Sequence, residues 1–423
     1  MKAAGKHKRL FTGIKDQRGA TVVMVAVLMV VFLGFTAVAV DIGHLSMVRN
    51  ELQNASDAGA LAGARFLYSD DGTAINEGAN QTAHDAATAN KSEQTPVEVN
   101  WSAGNVGDAQ RGHWSFGLGS LARGFYPNDS LNPVDLWEQS TVELDQNPNF
   151  INAIRVRTRR QATPADSYFA RIFGYQNFTL STDAVAYIGF AGTLTPGEGD
   201  QPIAICLQSI LRNDEYTCSI GRMINSGQNI ASHETGGWTS FNQDDPCTGG
   251  TNAQEVRSLV CGDGNPAMLT LGQAMATSGG EIQSAFNQLI QCWISVTGRT
   301  QPWNLTLPVI NCDGNNVGTC ETLRGAVNIN ILWITGAGED PSYSDAPTQM
   351  AGWSVPANAG NTNGQERWNS FVSHFNLQNV DGTPAPYKKK SIYFLPDCTP
   401  HIPTGLSGGQ NFGILAKIPV LVK

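Results

Sequence analysis

The amino-acid sequence predicts an α+β protein. One long N-terminal helix, which begins as a transmembrane span, precedes mixed α/β domains cross-linked by disulfides. Three observations predict this class. An uncharged apolar run at residues 19–40, GATVVMVAVLMVVFLGFTAVAV, continues without a helix breaker into an alanine-rich polar segment. From residue 96 onward, apolar and polar residues alternate with the period of β-strands. All eight cysteines lie beyond residue 200.

The apolar run is long enough to cross a membrane. Its 22 residues form a helix of about 33 Å at a rise of about 1.5 Å per residue, and a hydrocarbon core is about 30 Å thick. Basic residues beside a span stay in the cytoplasm, which predicts an internal N-terminus and an exported remainder. A cleaved signal peptide is the alternative, with a weak site at Ala37-Val38-Ala39, but the length of the run favours a retained span. The flanking tail, residues 1–18, carries one acid, Asp16, and six bases: Lys2, Lys6, Lys8, Arg9, Lys15 and Arg18.

Residues 41–95 are predicted to form an alanine-rich helical stalk. Small and apolar residues there alternate at spacings of three and four, the pattern of a helix seam with a period of 3.5. Either a partner helix or the chain's own globular domain could cover this seam. A second polar helix at residues 73–89 is a candidate hairpin partner. The seam consists of Leu45, Val48, Leu52, Ala55, Gly59, Ala62 and Phe66.

The exported part divides into two predicted domains. An α+β module covers residues 96–192, a turn-rich linker covers 193–202, and a cysteine-containing mixed α/β domain covers 203–423. In the second domain, AVNINILWIT is predicted to be a central strand. Pro419 favours an edge position for the last strand, residues 414–422. Further strands are predicted at 203–207, 305–310 and 391–395, with a helix at 281–293.

The cysteines predict disulfides rather than a metal site. An even number in an exported segment is typical of disulfides in an oxidising compartment, and none has zinc-knuckle spacing. Short loops favour the local pairs 206–218, 247–261 and 312–320, leaving 292 and 398. The candidate cysteines are Cys206, Cys218, Cys247, Cys261, Cys292, Cys312, Cys320 and Cys398.

Little in the sequence predicts catalysis. The densest polar cluster, His233-Glu234 with Asp244-Asp245, is consistent with a general base or a metal ligand, but its glycine-containing loop favours solvated polar residues instead. No GxSxG elbow, phosphate-binding loop or HExxH pair is present. We therefore expect a protein that is not an enzyme, with no cofactor and no bound metal. The exported part is acidic and lacks a basic block, so nucleic acid is not an expected partner, and no small-molecule ligand can be named.

The opening run carries a specific family resemblance. It closely resembles the N-terminal segment of the TadE/TadG-like family of Tad (tight adherence) Flp-pilus assembly proteins. The following region, with Gly112-x-Trp114 and Phe169-Ala170-x-x-x-Gly174, looks like their extracytoplasmic module, so the resemblance covers about 190 residues. The motif positions are Arg18, Gly19, Asp41, Gly43, Leu52, Gln53, Asn54, Ala55, Asp57, Ala58, Ala60, Leu61, Ala62, Gly63 and Ala64.

The resemblance implies a single-pass inner-membrane component of a bacterial pilus-assembly or secretion system. Its implied partners are the lipid bilayer and, through the stalk, pilus-assembly or pilin-like proteins. Pilin-like precursors carry glutamate at the fifth mature position, where this chain has Met24, which argues against prepilin processing. The alternatives are a membrane-anchored adhesin and an exported hydrolase that uses the His233 loop.

Overall fold

The computed structural model describes most of the chain. The described residues are 18–69, 72, 74–137, 139–212, 215–216, 218, 223–226, 235–279, 282–312, 316–336, 343, 345–355, 363–379, 382–388 and 390–423. The predicted basic tail, apart from Arg18, and the His233-Glu234 loop lie outside them.

Along the described chain, helices and strands occur in separate runs, as in other α+β folds. The helices are α1 (Arg18–Arg65), α2 (Ala79–Thr88), α3 (Thr141–Asp145), α4 (Ala253–Leu259), α5 (Gln283–Thr297) and α6 (Gly364–His374). The strands are β1 (Lys91–Ser92), β2 (Thr95–Pro96), β3 (Ala109–Ser115), β4 (Gly124–Pro127), β5 (Ala153–Asp166), β6 (Asn177–Tyr187), β7 (Thr193–Leu194), β8 (Ile203–Cys206), β9 (Leu211–Arg212), β10 (Glu215–Tyr216), β11 (Met223–Ser226), β12 (Thr235–Thr239), β13 (Leu269–Thr270), β14 (Ala274–Ser278), β15 (Trp303–Asn311), β16 (Cys320–Ile334), β17 (Gln349–Met350), β18 (Trp353–Ser354), β19 (Ser391–Phe394), β20 (Thr399–Pro400) and β21 (Val420–Leu421).

The N-terminal unit, residues 41–192 together with β21, is a five-stranded sheet covered by the second half of α1. The strand order is β21-β6-β5-β3-β4, and every pairing in it is antiparallel. Helix α2 packs beside α1 as the predicted hairpin partner, beginning at Ala79. The core between helices and sheet holds Val48, Leu52, Ile154 and Val156. The seam of α1 is therefore covered by the chain's own domain.

The C-terminal unit, residues 193–416, is built on an eight-stranded sheet that closes on itself. Strands β8, β12, β14, β16 and β15 each pair with two of the others and form a ring. Strand β16 is central in this sheet. It pairs with β15 along one edge and with β14, β19 and β20 along the other. The prediction that AVNINILWIT is a central strand is consistent with this position.

Aromatic side chains fill the core of the C-terminal unit between the sheet and helices α5 and α6. Trp293 of α5 meets Trp333 of β16 edge to face, with ring centroids 4.9 Å apart. Trp333 also contacts Phe371 of α6, which is fully buried. Such edge-to-face contacts add to the hydrophobic gain from burying the rings. The predicted helix at 281–293 is α5, which continues to Thr297.

All eight cysteines are paired, but the predicted local pairs are wrong. The disulfides are Cys206–Cys312, Cys218–Cys398, Cys247–Cys320 and Cys261–Cys292, with Cα atoms 5.0 to 5.9 Å apart. For Cys206–Cys312, sheet pairing rather than loop length brings the two cysteines together. Strands β8 and β15 run parallel with Ile310 opposite Cys206, so the cysteine that follows β15 lies within bonding reach of the end of β8.

The two units are interlocked by the chain itself. The predicted linker at 193–202 forms β7, which pairs with β13, and Leu194 is fully buried. The last strand, β21, returns to the edge of the N-terminal sheet beside β6. Within the predicted terminal strand, Val420 and Leu421 form β21, and Leu415 makes an isolated antiparallel bridge with Phe190. Val420 and Leu421 lie at the edge of the sheet, as expected for a strand that follows Pro419, because proline has no backbone N–H to donate to a second neighbouring strand.

Candidate functional site

Helix α1 changes its surroundings completely at Asp41. Between residues 22 and 40 its side chains are exposed apart from the half-buried Ala37, for example Val30 at 69% and Phe35 at 70%. After Asp41, one stripe of the helix is buried against α2 and the sheet, including Val48, Leu52 and Ala55. Within the described residues, this is the one helix long and apolar enough to cross a membrane. Its free apolar half suggests a single-pass membrane anchor.

Asp41 fixes the junction between this free half and the domain. Its carboxylate accepts hydrogen bonds from the backbone amides of Tyr168 (2.8 Å), Phe169 (3.1 Å) and Ala170 (2.5 Å). The side chain is largely buried, at 5% exposure. Burial raises the pKa of Asp41, but these amides and the Ser167 hydroxyl outweigh it, so the pKa lies below its ordinary value. The carboxylate is therefore charged at neutral pH.

The amides that Asp41 binds belong to the connection of the β5–β6 hairpin. Strand β5 runs along α1 in the opposite direction: its Ile154 contacts Gly63, its Val156 contacts Gly59, and its Thr158 bonds to Ser56. The hairpin consequently turns at the level of Asp41. A short 3₁₀ helix, Ala170–Phe173, follows the capped amides and ends at Gly174. Gly174 has φ of +94°, a conformation that favours glycine.

Hydroxyl groups fix the register of α1 against the sheet. Ser56 Oγ lies 2.8 Å from Thr158 Oγ1 and 3.0 Å from Thr182 Oγ1, and the two threonine hydroxyls are 3.0 Å apart. The carbonyl oxygen of Leu52 lies 3.0 Å from Ser56 Oγ and 2.8 Å from Thr158 Oγ1, and it accepts a hydrogen bond from this hydroxyl cluster. A buried hydroxyl group requires such partners, so sliding the helix by one turn leaves these groups unpaired.

Small residues allow α1 and α2 to approach closely. A Cβ at Gly59 would lie 2.7 Å from the carbonyl oxygen of Ala83, and one at Gly63 would lie 2.6 Å from the Ala83 side chain. Both distances are shorter than van der Waals contact. The alanines Ala79, Ala83 and Ala87 on the facing side of α2 are fully buried. The alanine–glycine stripe is therefore an intramolecular helix interface.

Two models of known protein families match the N-terminal part of this chain. The family model described as Flp pilus-assembly TadE/G-like matches residues 19–65, which is essentially α1. The model described as Tad-like Flp pilus-assembly matches residues 62–186, from the end of α1 to β6. Residues 19–186 are thus similar to Tad/Flp pilus-assembly proteins, and we call the folded part of this region, residues 41–186, the Tad/Flp module. No curated protein and no solved structure matches the chain.

The residues that carry the predicted family resemblance divide into three groups in the structure. Leu52, Ala55, Ala60, Gly63 and Ala64 are buried in the interface of α1 with α2 and the sheet, and Asp41 is the buried cap. A second group, partly or fully exposed, lies along the sides of α1: Gly43, Gln53, Asn54, Asp57, Ala58, Leu61 and Ala62. Arg18 and Gly19 lie at the start of α1, where the structure does not describe side chains.

Both Asp41 and the Phe169–Gly174 motif stand out in the sequence, but the sequence pattern does not show that they are in contact. The chemistry of the two segments is the feature from which their contact could have been predicted. An acid placed directly after an apolar span needs donors, and the amides that begin a short helix are good donors for a carboxylate. The 126 to 129 residues between the partners prevented the contact from being predicted.

Outside the Tad/Flp module, the C-terminal unit has a polar groove of about 300 Å³ on strands β15 and β16. Asp200 Oδ2 accepts a hydrogen bond of 2.6 Å from the Thr306 amide. Burial raises the pKa of Asp200, a change that this amide and the nearby His401 only partly offset. The groove is lined by polar side chains of Asp200, Asn304, Thr306, Asn328, Asn330, Asp397 and Thr399. It can accept a small polar ligand through hydrogen bonds.

Of the polar cluster that the sequence singled out, the structure describes Asp244 and Asp245, whereas His233 and Glu234 lie outside the described residues. Asp244 is exposed, and its backbone amide donates to Asn242 Oδ1. Asp245 accepts from the Thr248 hydroxyl at 2.8 Å. Both contacts are local turn hydrogen bonds. Among the described residues, no three His, Cys, Asp or Glu side chains are grouped so that they could hold a metal ion.

Proposed function

We propose that this chain is a membrane-anchored structural component of a bacterial Tad/Flp pilus-assembly system. Its span lies in the inner membrane, its N-terminus lies in the cytoplasm, and residues 41–423 lie in the periplasm or beyond. The observation that supports this most is the continuity of α1, which runs as one helix from the free apolar half into the packed Tad/Flp module. The basic residues of the tail support the orientation.

The proposed mechanism is mechanical. Helix α1 has 48 residues, about 72 Å of continuous helix. Its second half is held by α2, the sheet and the Ser56–Thr158–Thr182 hydroxyls, and Asp41 ties its midpoint to the hairpin. A rod held in this way transmits the orientation of the span to the domain. The C-terminal unit, stabilised by four disulfides, is then presented at a set distance from the membrane.

Assembly partners are expected on surfaces other than the buried seam. The stripe that includes Leu52, Ala55 and Gly63 already packs on the chain's own domain. The opposite side of α1, with Arg49, Asn50 and Asn54, is exposed. We propose that pilus-assembly proteins contact this outer face or the C-terminal unit.

The orientation is tested with reporters fused after Lys423. Alkaline phosphatase folds to its active form only outside the cytoplasm, whereas green fluorescent protein exported by the general pathway does not fluoresce. We expect phosphatase activity in the membrane fraction and no fluorescence. The reverse result contradicts the proposed topology. A matched control places both reporters before residue 18, where the opposite pattern is expected.

The role in assembly is tested by complementation in a host that makes these pili. A strain lacking the chain should show no surface pili by electron microscopy, and the full chain should restore them. A variant in which a cleavable signal peptide replaces residues 1–40 should export the same domain without restoring pili. Normal piliation in the deletion strain contradicts the proposed function.

The polar groove supports a second candidate, an anchored adhesin. If the groove binds a surface ligand, Asp397→Asn with Asn330→Ala should leave the number of pili unchanged and abolish attachment. Asn330 Nδ2 lies 3.3 Å from Asp397 Oδ1, so the pair alters one side of the groove. Asp244→Asn in an exposed loop is the control. Unchanged attachment in the double variant argues against this candidate.

A further inference from the structure

The connection of the β5–β6 hairpin exposes an unusual number of large apolar side chains. We name residues 168–175, YFARIFGY, the aromatic tip. Ile172 is 75% exposed, Phe173 70% and Tyr175 62%, and Tyr168 and Phe169 are 52% and 40% exposed. Burying these side chains would be favourable, yet the domain leaves all five in the open. An exposed apolar group of this kind marks a contact with a membrane or another protein.

The aromatic tip lies at the end of the domain nearest the apolar half of α1. Strand β5 descends along α1 from Gly63 to Asp41, and the tip is bonded to Asp41 itself. Asp41 is the first residue after the uncharged run, so the tip reaches the boundary at which the span ends. The opposite end of the domain is marked by Asn105, which binds Asn80 at the start of α2. About 35 Å of helix separates the two ends.

Backbone amides of the tip already have hydrogen-bond partners, which favours the entry of a segment into a region of low dielectric constant. Asp41 accepts the amides of residues 168–170. The amides of Ile172 and Gly174 donate to the carbonyls of Phe169 and Arg171 within the 3₁₀ helix. Its one charged side chain, Arg171, is exposed and suits an anionic headgroup.

We propose that the aromatic tip lies in the interfacial layer of the bilayer beside α1 and forms a second membrane contact of the Tad/Flp module. The occupant is lipid because the tip is continuous with the end of the span, and tyrosine and similar amphipathic rings favour the membrane–water interface. The span and the tip together fix the tilt of the domain relative to the membrane. A single spanning helix alone would leave the domain free to rotate about the helix axis. This inference rests on the membrane anchoring proposed above.

The test measures immersion depth in the full chain, reconstituted in vesicles of phosphatidylcholine and phosphatidylglycerol. Phe173→Cys, made with the native disulfides kept oxidised, carries a nitroxide label. Power-saturation spectroscopy then compares collisions with oxygen, which concentrates in lipid, and with a water-soluble nickel chelate. Val106→Cys is the matched control, because Val106 is 84% exposed at the opposite end of the same domain. Phe32→Cys reports on the span itself.

We expect the ratio of oxygen to nickel collisions at position 173 to exceed that at position 106 several-fold. Equal ratios at 173 and 106, with a lipid-like ratio at 32, overturn the inference and leave the anchor intact. Aqueous ratios at both 32 and 173 contradict the anchor. Protection of position 173 from both reagents indicates a protein contact and also overturns the inference. All three substituted side chains are at least 66% exposed, so the variants should fold.

Discussion

At the residue scale, carboxylates join distant parts of this chain by accepting backbone amides. Asp41 binds the hairpin connection, and Glu98 binds the amides of residues 161–163 in β5. Glu198 binds the Thr195 amide and the Thr404 amide and hydroxyl. Each acid satisfies several donors at once, and these hydrogen bonds favour the charged form. A carboxylate is therefore required at each of these three positions, because it accepts the hydrogen bonds that connect the two segments.

Glu198→Gln should destabilise the C-terminal unit near neutral pH. Burial raises the pKa of Glu198, but hydrogen bonds from His401, Thr404 and Thr195 outweigh it and lower the pKa to about 2. A lowered pKa stabilises the fold above the ordinary value of 4.5, and this stabilisation is lost as the pH falls towards 2. We expect the variant to lose on the order of 2 kcal/mol at pH 7 and almost nothing near pH 2.

Urea unfolding followed by tryptophan fluorescence measures this effect, since six of the nine tryptophans lie in the C-terminal unit. Asp244→Asn, in an exposed loop, is the control and should behave like the unsubstituted chain at every pH. A Glu198→Gln penalty that stays constant from pH 7 to pH 3 contradicts the ionic origin of the stabilisation.

At the element scale, α1 shows how a helix pattern drifts from the seam that its sequence predicts. The predicted seam of period 3.5 places Ala62 and Phe66 inside, but Ala62 is only partly buried and Phe66 is 49% exposed. Ala64 and Leu67 are fully buried in their place. A straight helix has 3.6 residues per turn, so its buried stripe rotates away from a 3.5 repeat over several turns. A sheet and a short helix do not impose the supercoil that preserves such a seam.

Gly63→Ala and Gly43→Ala should have opposite effects on stability, although both lie in α1. At Gly63 the new methyl group overlaps Ala83, which should cost about 1–3 kcal/mol. At Gly43 the methyl group meets nothing within 4 Å, and the better helix propensity of alanine should stabilise by up to about 1 kcal/mol.

Thermal unfolding of the full chain in detergent compares the two variants. A lower Tm for Gly63→Ala and an unchanged or higher Tm for Gly43→Ala are expected. Equal Tm values contradict the close α1–α2 contact. Testing Gly63→Ala and Gly43→Ala in the piliation assay shows whether the α1–α2 contact is needed for function.

At the scale of the whole molecule, the two units are joined by crossing segments and by long-range covalent links. Strand β21 completes the N-terminal sheet after the chain has built the C-terminal unit. Asn411 Nδ2 donates to the carbonyls of Leu136 and Gln139 across the same boundary. The two units therefore depend on each other, and removing residues after 200 also removes part of the first sheet.

Removing the Cys206–Cys312 disulfide should destabilise the chain more than removing Cys261–Cys292. The first closes a segment of 106 residues and the second a segment of 31, which in the chain-entropy model makes the first about 1 kcal/mol more stabilising. Cys206 and Cys312 are also buried, whereas Cys261 is exposed. The double serine variants are compared by their urea midpoints. An equal or larger loss from Cys261→Ser with Cys292→Ser contradicts this order.

The sequence by itself determined the local features of the protein. Residues 19–40 encode the apolar helix through hydropathy, AVNINILWIT encodes a buried strand, and the segment that includes Asp41 and Leu52 carries the similarity to the TadE/G-like family model. Hydropathy, periodicity and motif spacing involve neighbours along the chain, so they can be read without a fold.

Only the tertiary structure decided which distant residues meet. It paired Cys206 with Cys312 where loop length favoured Cys218, it covered the α1 seam with the chain's own α2 and sheet, and it placed Asp41 against Tyr168. These contacts depend on the register of strands and helices far apart in sequence. A one-residue slip in register exchanges the faces of a strand, and nothing in the local pattern specifies the partner strand.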